Sequence, residues 1–563
     1  NTAVGRNALV ANTTGHSNTA FGSYALDAST TGNLLAAFGH NALTANTTGG
    51  ANSAFGPNAL ATNTTGAECT GLGSHALYGN TTGSSNVAVG GNSLYSNSTG
   101  SNNTSVGRYA LLNNTTASNN TAVGKDALTA NTTGAQNTAI GSGALDANTT
   151  ADYNTAMGYG ALGVNTTGVA NTSIGRGTMG NSTTSSYNTA VGSAALAANT
   201  TGAEHTAIGY NALTTNTTGT HSTALGESAL ELNTTGSYNT ALGGRTLDAN
   251  TTASNNTAIG YAALSNSTTG AELTAVGTYA AYGNTTASHI TAVGRSALES
   301  NQTGIQCTAV GYEAAKESTA GYVTAIGWKA AMNVTSGQAI VAVGDGSLNL
   351  LTTNNHCVAV GHFSLNSATG ANNTACGSNA GRCITTGNKN TAVGYNALGS
   401  TTTGIENVAV GSETGDSITT GSNNVCIGYN AEPASATTNT SVTLGNSQIS
   451  SLRCNTTSIS SLSDARDKTD VEDLPAGVEF INKLHPVKFK WQRRTPDTND
   501  GTIRAGFIAQ ELQEAQKGNE YLNLVLEDNP DKLEATPGNL IPVFVKAIQE
   551  LSAKVEELES KLN

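Results

Sequence analysis

The sequence of 563 residues contains little of what an ordinary globular protein buries in its core or displays on its surface. Aromatic residues make up 5% of it and charged residues 11%. With so few large apolar side chains the chain cannot build a wide core, so its residues must be buried by close, repeated stacking. The formal net charge of −13 argues against a nucleic-acid partner, because phosphate binding requires clustered Lys and Arg.

Other absences exclude further classes of protein. No stretch approaches the roughly 20 apolar residues that span a membrane, so we expect no membrane insertion. No secretory signal is visible, and the chain opens in the middle of a repeat, so we take it to be a fragment. The 7 Cys residues are irregularly spaced, which is typical of neither a disulfide framework nor a zinc site. We therefore expect no cofactor and no metal ion.

Charge is distributed unevenly along the chain. Residues 463–563 hold 13 Lys and Arg and 19 Asp and Glu, which makes 32 charged residues in 101, whereas the first 462 residues hold only 29. Six of the 8 Pro lie beyond residue 470. These contrasts predict a shaft over 1–445, a linker over 446–462 and a different kind of domain over 463–563.

The shaft is a strict repeat that begins with Asn-Thr-Ala-Val-Gly. Its Gly recurs from Gly5 to Gly445 and defines 27 repeats, and of the 26 intervals 24 are 17 residues long and two are 16. A period this regular indicates a solenoid, in which each repeat is one coil stacked on the next. At the spacing of β-strands the coils would span roughly 130 Å.

Each repeat predicts two short strands and a turn. In Thr-Ala-Val-Gly the small residues share one face of a strand, which lets another backbone approach closely. The pair Ala8-Leu9 predicts a second strand, and Asn-Thr-Thr-Gly predicts a turn with left-handed Asn and Gly at positive φ. We expect the two 16-residue intervals to be deletions in a turn that keep the register. The fold class is therefore mostly β.

This repeat resembles the head repeats of trimeric autotransporter adhesins, which carry Asn-Ser-[Val/Ala]-Ala-[Ile/Val]-Gly. The resemblance covers about residues 1–445 and implies a trimeric, left-handed parallel β-roll. The chain departs from that family in its longer repeat, and at the C-terminus, where we expect no membrane anchor.

The C-terminal domain has an α/β pattern. Val478 to Leu484 is amphipathic, Pro486 to Trp491 predicts a strand, and Ala505 to Glu514 predicts a strand that leads into a helix. Apolar residues then alternate at spacings of three and four, which is the seam of a coiled coil over about 541–562. The seam residues are Ile541, Phe544, Ile548, Leu551, Val555, Leu558 and Leu562.

These segments are similar to the C-terminal intramolecular chaperone of phage tail spikes and fibres, of the endosialidase type. That family carries Ser-Asp-x-Arg-x-Lys, Pro-Val-x-Phe-x-Trp, Gly-Phe-Ile-Ala-Gln-Glu and a terminal Ala-Ile-Gln-Glu-Leu helix, and this chain carries all four in order. The matching residues are Ser463, Asp464, Arg466, Lys468, Pro486, Val487, Phe489, Trp491, 506–511 and 547–551. The resemblance implies a small α/β domain that trimerises, templates the preceding fibre and then cleaves itself off just before the Ser.

The chemistry implied is a single-turnover serine endopeptidase that acts on no other substrate. Ser463 would attack the carbonyl of Leu462, so the scissile bond joins Leu462 and Ser463, and Lys468 would take the hydroxyl proton. A lysine can be a base only if its pKa falls from about 10.4 toward neutrality, and the positive charge of Arg466 favours such a shift. Asp464 opposes it and is instead a candidate cap for the following turn. A trimerising domain of the same fold that has lost its activity stays open as an alternative.

We therefore expect a phage tail fibre that forms a homotrimer and binds a host cell-surface receptor or glycan. It would join a virion attachment protein through residues before Asn1, assemble in the host cytoplasm, and be extracellular in the virion. A cellular surface adhesin or stalk is the alternative. A depolymerase is less favoured, since the repeats hold no paired carboxylates and no nucleophile cluster. An ice-binding solenoid is also less favoured, since the regular Thr residues simply suit strands. The Asn-Thr-Thr triplets fit the N-glycosylation pattern but are better explained as turns. We expect scattered His residues such as His356 and His362 to be packed or exposed rather than metal ligands.

Overall fold

The computed structural model describes residues 1–449, 452–453, 463–491, 501–527 and 533–562. The chain divides into two compact units, residues 1–346 and 347–563. Both contain coils of a parallel β-solenoid, and the second also contains a small C-terminal region that ends in a long helix. The predicted mostly β fold with its 17-residue repeat is confirmed.

Within the described residues each coil contributes one short strand. In the first unit these strands, β1–β21, are Thr2–Val4, Thr19–Phe21, Ala36–Phe38, Ser53–Phe55, Thr70–Leu72, Val87–Val89, Thr104–Val106, Thr121–Val123, Thr138–Ile140, Thr155–Met157, Thr172–Ile174, Thr189–Val191, Thr206–Ile208, Thr223–Leu225, Thr240–Leu242, Thr257–Ile259, Thr274–Val276, Thr291–Val293, Thr308–Val310, Val323–Ile326 and Ile340–Val343. In the second unit β22–β27 are Val358–Val360, Thr374–Cys376, Thr391–Val393, Val408–Val410, Val425–Ile427 and Val442–Leu444.

The C-terminal region is built of three α-helices and two strand pairs in its described part. In chain order these elements are α1 Val478–Ile481, β28 Val487–Lys490, β29 Ile503–Gly506, α2 Ala509–Ala515, β30 Val525–Leu526, β31 Glu534–Ala535 and α3 Ile541–Leu562. Antiparallel pairs form between β28 and β29 and between β30 and β31. A small core gathers Phe480, Leu512, Leu524 and Val543 from α1, α2, the segment before β30, and α3.

Strands of successive coils pair in parallel with equivalent residues facing each other. Thr2 pairs with Thr19 and Ala3 with Ala20, and the same register continues along each unit. At the shortened coils Thr308 pairs with Thr324, and Val358 with Thr374. The prediction that the two deletions fall in turns without loss of register is therefore confirmed.

The predicted second strand of each coil is wrong. We number the coil positions 1 to 17 from the Asn of Asn-Thr-Ala-Val-Gly, so that they coincide with residue numbers in the first coil. Positions 8 and 9 lie in a turn, and the Leu at position 9 is left-handed, with φ of 54° at Leu26. Both Ala25 and Leu26 are fully buried. Neighbouring residues of a strand point to opposite faces, so a strand could not bury both in so thin a coil.

The Asn-Thr-Thr-Gly turn also differs from the prediction, because neither its Asn nor its Gly has a positive φ. The Asn at position 12 is buried and forms a ladder: Asn63 Nδ2 donates to Asn46 Oδ1 at 2.8 Å and to the carbonyl of Gly66 at 2.9 Å. The Gly that is usual at position 15 lies close to the next coil, since a Cβ on Gly49 would lie 2.2 Å from the carbonyl oxygen of Gly66. Some coils accommodate a Cβ at this position, as at Ala117 and Ala151, which are buried. Because the Asn amides are already used, a sugar on Asn46 or Asn63 would break the ladder.

A buried histidine replaces the usual Asn at position 1 of one coil. At the equivalent place Asn18 donates to the carbonyl of Gly32 and accepts from the N–H of Leu35. His205 reproduces both bonds: its Nε2 lies 2.6 Å from the carbonyl oxygen of Gly219, and its Nδ1 accepts from the N–H of Ser222 at 3.2 Å. This pattern requires the neutral imidazole, and burial lowers the pKa of His205.

We predict that His205→Asn removes an acid sensitivity from the surrounding coils. The folded-state pKa of His205 is below its unfolded value, so its contribution to stability is present above about pH 6.5 and is lost as the pH falls through the folded-state pKa. Hydrogen exchange of residues 188–222, corrected for intrinsic pH dependence, should show loss of protection on acidification in the wild type and less loss in the variant. His16→Asn, at an exposed site, is the control. Equal acid sensitivity in wild type and His205→Asn would contradict the assignment.

Candidate functional site

The predicted nucleophile and base meet at the start of the C-terminal region. Lys468 Nζ donates to Ser463 Oγ at 2.5 Å. The two residues flank a single 3₁₀ turn, Ala465–Asp467, and the N–H of Lys468 bonds back to the carbonyl of Ala465. This turn reverses the direction of the chain. It therefore brings the amine of Lys468 into contact with the hydroxyl of Ser463, five residues earlier. A serine in direct contact with an amine has the geometry that nucleophilic activation requires.

Asp464 and Arg466 engage each other rather than the dyad of Ser463 and Lys468. Asp464 caps the turn by accepting from the N–H of Arg466 at 2.9 Å. The guanidinium also donates to this carboxylate, with Nε at 3.0 Å, and these bonds lower the pKa of Asp464. The carboxylate of Asp464 therefore neutralises much of the positive charge of Arg466. The electrostatic repulsion that Arg466 was expected to exert on the ammonium group of Lys468 is weakened as a result.

The dyad is open to solvent in the single chain. Residues 463–470 are all exposed. Leu462, the predicted other side of the scissile bond, lies outside the described residues. Because water screens charges and solvates the ammonium form of a lysine, an active dyad needs burial that this surface of one chain does not supply.

The other predicted segments of the domain come together around the β28–β29 pair. Val487 pairs with Gly506. A Cβ on Gly506 would lie 3.2 Å from the ring of Phe489, so glycine allows this ring to pack on the neighbouring strand. His485, just before β28, reaches Glu511 of α2 with 3.1 Å between Nδ1 and Oε2. The strand and the strand-to-helix prediction are thus confirmed, with the strands at Val487–Lys490 and Ile503–Gly506.

The terminal helix α3 has two apolar faces. Val543 and Ala547 are buried against the small core. All seven seam residues are exposed in the single chain: Ile541, Phe544, Ile548, Leu551, Val555, Leu558 and Leu562, from 40% at Phe544 to 85% at Leu562. The predicted helix is confirmed. Its association into a coiled coil stays a prediction.

Sequence reasoning missed one positioning residue. Glu550 of α3 accepts from the N–H of Val478 at 2.8 Å and so caps the start of α1. Its carboxylate occupies the space beside Gly477, where a Cβ would lie 2.3 Å from Glu550 Oε1. The signal was present, since Glu550 belongs to the Ala-Ile-Gln-Glu-Leu segment, but only the fold shows that it ties α3 to α1.

The described residues contain neither a metal-binding cluster nor a membrane-spanning helix. No group of three or more His, Cys, Asp or Glu there is placed to hold a metal ion. Among the same residues no helix is long and apolar enough to cross a membrane. His356 and His362 are both exposed.

Comparison with known families adds one finding. Residues 463–520 match the sequence model of the family described as the chaperone of endosialidase. That family consists of self-cleaving intramolecular chaperones. The match begins at Ser463 and includes the dyad, β28, β29 and α2. No curated protein and no solved structure matches the chain.

We predict that Glu550→Ala loosens the junction between α1 and α3. Loss of the cap leaves the N–H of Val478 without its acceptor, at a cost of about 1 kcal/mol. Hydrogen exchange over residues 476–484 should therefore be faster in the variant. Glu556→Ala, at an exposed position of the same helix, should change little. Unchanged exchange in Glu550→Ala would show that the contact does not hold α1.

Proposed function

We propose that the chain is the shaft of a phage tail fibre. In this proposal a C-terminal chaperone assembles the shaft as a homotrimer and then releases itself by cutting between Leu462 and Ser463. The observation that carries the proposal is the 2.5 Å contact of Lys468 Nζ with Ser463 Oγ, at the start of the segment that matches a self-cleaving chaperone family. The reaction is an acyl shift followed by hydrolysis: Ser463 Oγ adds to the carbonyl of Leu462, Lys468 takes the hydroxyl proton, and the backbone nitrogen of Ser463 leaves protonated as a free amine. Water then hydrolyses the ester between Leu462 and Ser463 Oγ, which frees the carboxylate of Leu462 and restores the hydroxyl of Ser463.

Two exposed apolar surfaces support self-association. One is the seam of α3. The other is the ridge at coil position 4, which in the first unit is Val, Ile, Leu, Phe or Met in every strand and is never fully buried. The exposed fraction of the ridge residues reaches 56% at Phe21 and 48% at Leu72. Monomeric proteins rarely expose contiguous apolar patches larger than a few hundred Å². Copies of the chain that pack these ridges together would remove this surface from water.

Association would also complete the cleavage site. The dyad is exposed in one chain, and neighbouring copies that cover it would exclude water and favour a neutral Lys468. Cleavage would then follow assembly and not precede it. Release of the chaperone gives kinetic stability, because the finished fibre has lost the template for refolding. Parallel strand assembly is slow, which explains why such a shaft would carry a template.

We predict that intact mass will show cleavage of the wild-type chain into a product of 462 residues and one of 101 residues. Ser463→Ala removes the nucleophile, and Lys468→Arg keeps a positive charge but cannot act as a base at neutral pH, so neither should cleave. Lys483→Ala, at an exposed lysine of the same region, is the control and should cleave normally. Cleavage in Ser463→Ala would disprove the mechanism. An uncut wild type that still trimerises would leave a template without activity.

We predict that Leu551→Asp dissociates the oligomer, since it places one carboxylate from each chain in the seam. Sedimentation velocity in a Ser463→Ala background keeps the chaperone attached and should report trimers for the parent and smaller species for the variant. Gln549→Asp introduces the same charge at an exposed position outside the seam and should remain trimeric. If Leu551→Asp also remains trimeric, the seam is not the trimer contact.

A further inference from the structure

The first shortened coil, residues 307–322, lacks one side chain that the regular coils expose on the surface of the shaft. In regular coils position 14 is exposed and usually Thr, as at Thr31 and Thr48. In the shortened coil Thr319 Oγ1 donates to the carbonyl of Thr335, which is the bond made by position 13 elsewhere. A Cβ on Gly304 would meet the carbonyl oxygen of Ala320 at 2.2 Å, the contact made between two position-15 residues. The deleted residue is therefore the one at position 14, between Thr319 and Ala320.

The deletion leaves a notch in the surface. Its volume is about 300 Å³. Thr303 and Ser336, at position 14 of the coils on either side, face the gap that the missing residue would fill. Neighbouring coils are about 4.8 Å apart, so Thr303 and Ser336, the two successive residues at position 14, are about 9.6 Å apart instead of about 4.8 Å. Backbone of the shortened coil forms the floor, and Ile305, Tyr322 and Gln338 complete the lining.

The lining offers one aromatic face, hydroxyl groups and an amide, and it includes no charged side chain. Tyr322 is 54% exposed. Its backbone is held between coils by bonds from its N–H to Ile305 and from the N–H of Ile340 to its carbonyl. An aromatic ring binds an apolar face, while hydroxyls and amides both donate and accept hydrogen bonds. A charged ligand would find no opposite charge here.

We propose that this notch binds a neutral saccharide, one ring of which stacks on Tyr322 while its hydroxyls bond to Thr303, Ser336 and Gln338. The inference rests on the proposed fibre function and deepens it, since it places a ligand site on a particular coil. The notch uses coil positions 13 to 17, whereas the apolar ridge proposed for self-association uses position 4. Both contacts can therefore be made by the same shaft.

The test uses the full chain and saturation-transfer NMR with maltotriose, lactose, mannotriose and chitotriose, with sialyllactose as a charged probe. At least one neutral probe should bind. Tyr322→Ala should weaken that binding about fivefold, the loss expected from one aromatic contact, and Tyr322→Phe should retain it. Inserting one Thr between Thr319 and Ala320 restores a regular coil, fills the notch and should abolish binding.

The second shortened coil, residues 357–372, supplies a matched control. It also lines a cavity, of about 520 Å³, but its lining of Thr, Asn, Gly and Ala includes no aromatic ring. One Thr inserted between Thr369 and Gly370 should therefore leave binding unchanged. The proposal is overturned if no neutral probe binds, if only sialyllactose binds, or if binding survives the first insertion. Cleavage and trimer state are measured on the same preparations. If both are as predicted while no saccharide binds, the saccharide site is wrong and the proposed fibre function is retained.

Discussion

The structure depends on how closely the backbones of successive coils approach each other. A Cβ on Gly22, at position 5, would lie 2.4 Å from the carbonyl oxygen of Gly39, and position 5 is Gly in all 27 coils. Only glycine fits at such contacts. Once the coils lie this close, strands pair with the strand one repeat later, and buried amides such as that of Asn63 find acceptors in the same coil and in the preceding one.

This constraint explains why a chain with so few large apolar residues can fold. The interior of a coil is filled by Ala, Leu and Asn, and the buried Asn amides bond along the stack, as Asn80 does with Asn63 at 2.7 Å. A buried amide without partners would be costly, whereas the Nδ2 of Asn80 has acceptors both in its own coil, at Gly83, and in the preceding coil, at Asn63. His205 shows the tolerance of this arrangement, because it is accepted where it reproduces both bonds of the Asn that it replaces.

The same regularity makes departures from the repeat informative. A side chain that points outward is stacked on its equivalent in the next coil, so a missing residue leaves a recess whose walls are set by its neighbours. The C-terminal region works by another principle: it has a small apolar core, a helix with a second, exposed apolar face, and a Ser–Lys contact at its first residue. The solenoid thus exposes a repeated surface, whereas the C-terminal region exposes the seam of one helix and a Ser–Lys pair.

Much of this was determined by the sequence alone. The period from Gly5 to Gly445, the position of the deletions in turns and the helix over 541–562 follow from spacing and local motifs, because they depend on residues close in sequence or repeated at a fixed interval. The pairing of Ser463 with Lys468 was implied by the family resemblance, because a Ser five residues before a Lys has little meaning alone. The tertiary structure decided what depends on contact between coils or elements. Ala-Leu at positions 8 and 9 resembles a strand locally, yet in the second coil Ala25 and Leu26 are both fully buried, and this burial is achieved by a turn with a left-handed Leu26. The Asn of the turn forms a ladder because its hydrogen-bond partner lies in a neighbouring coil. Glu550 caps α1 because the fold brings it to Val478, which is 72 residues earlier in the chain.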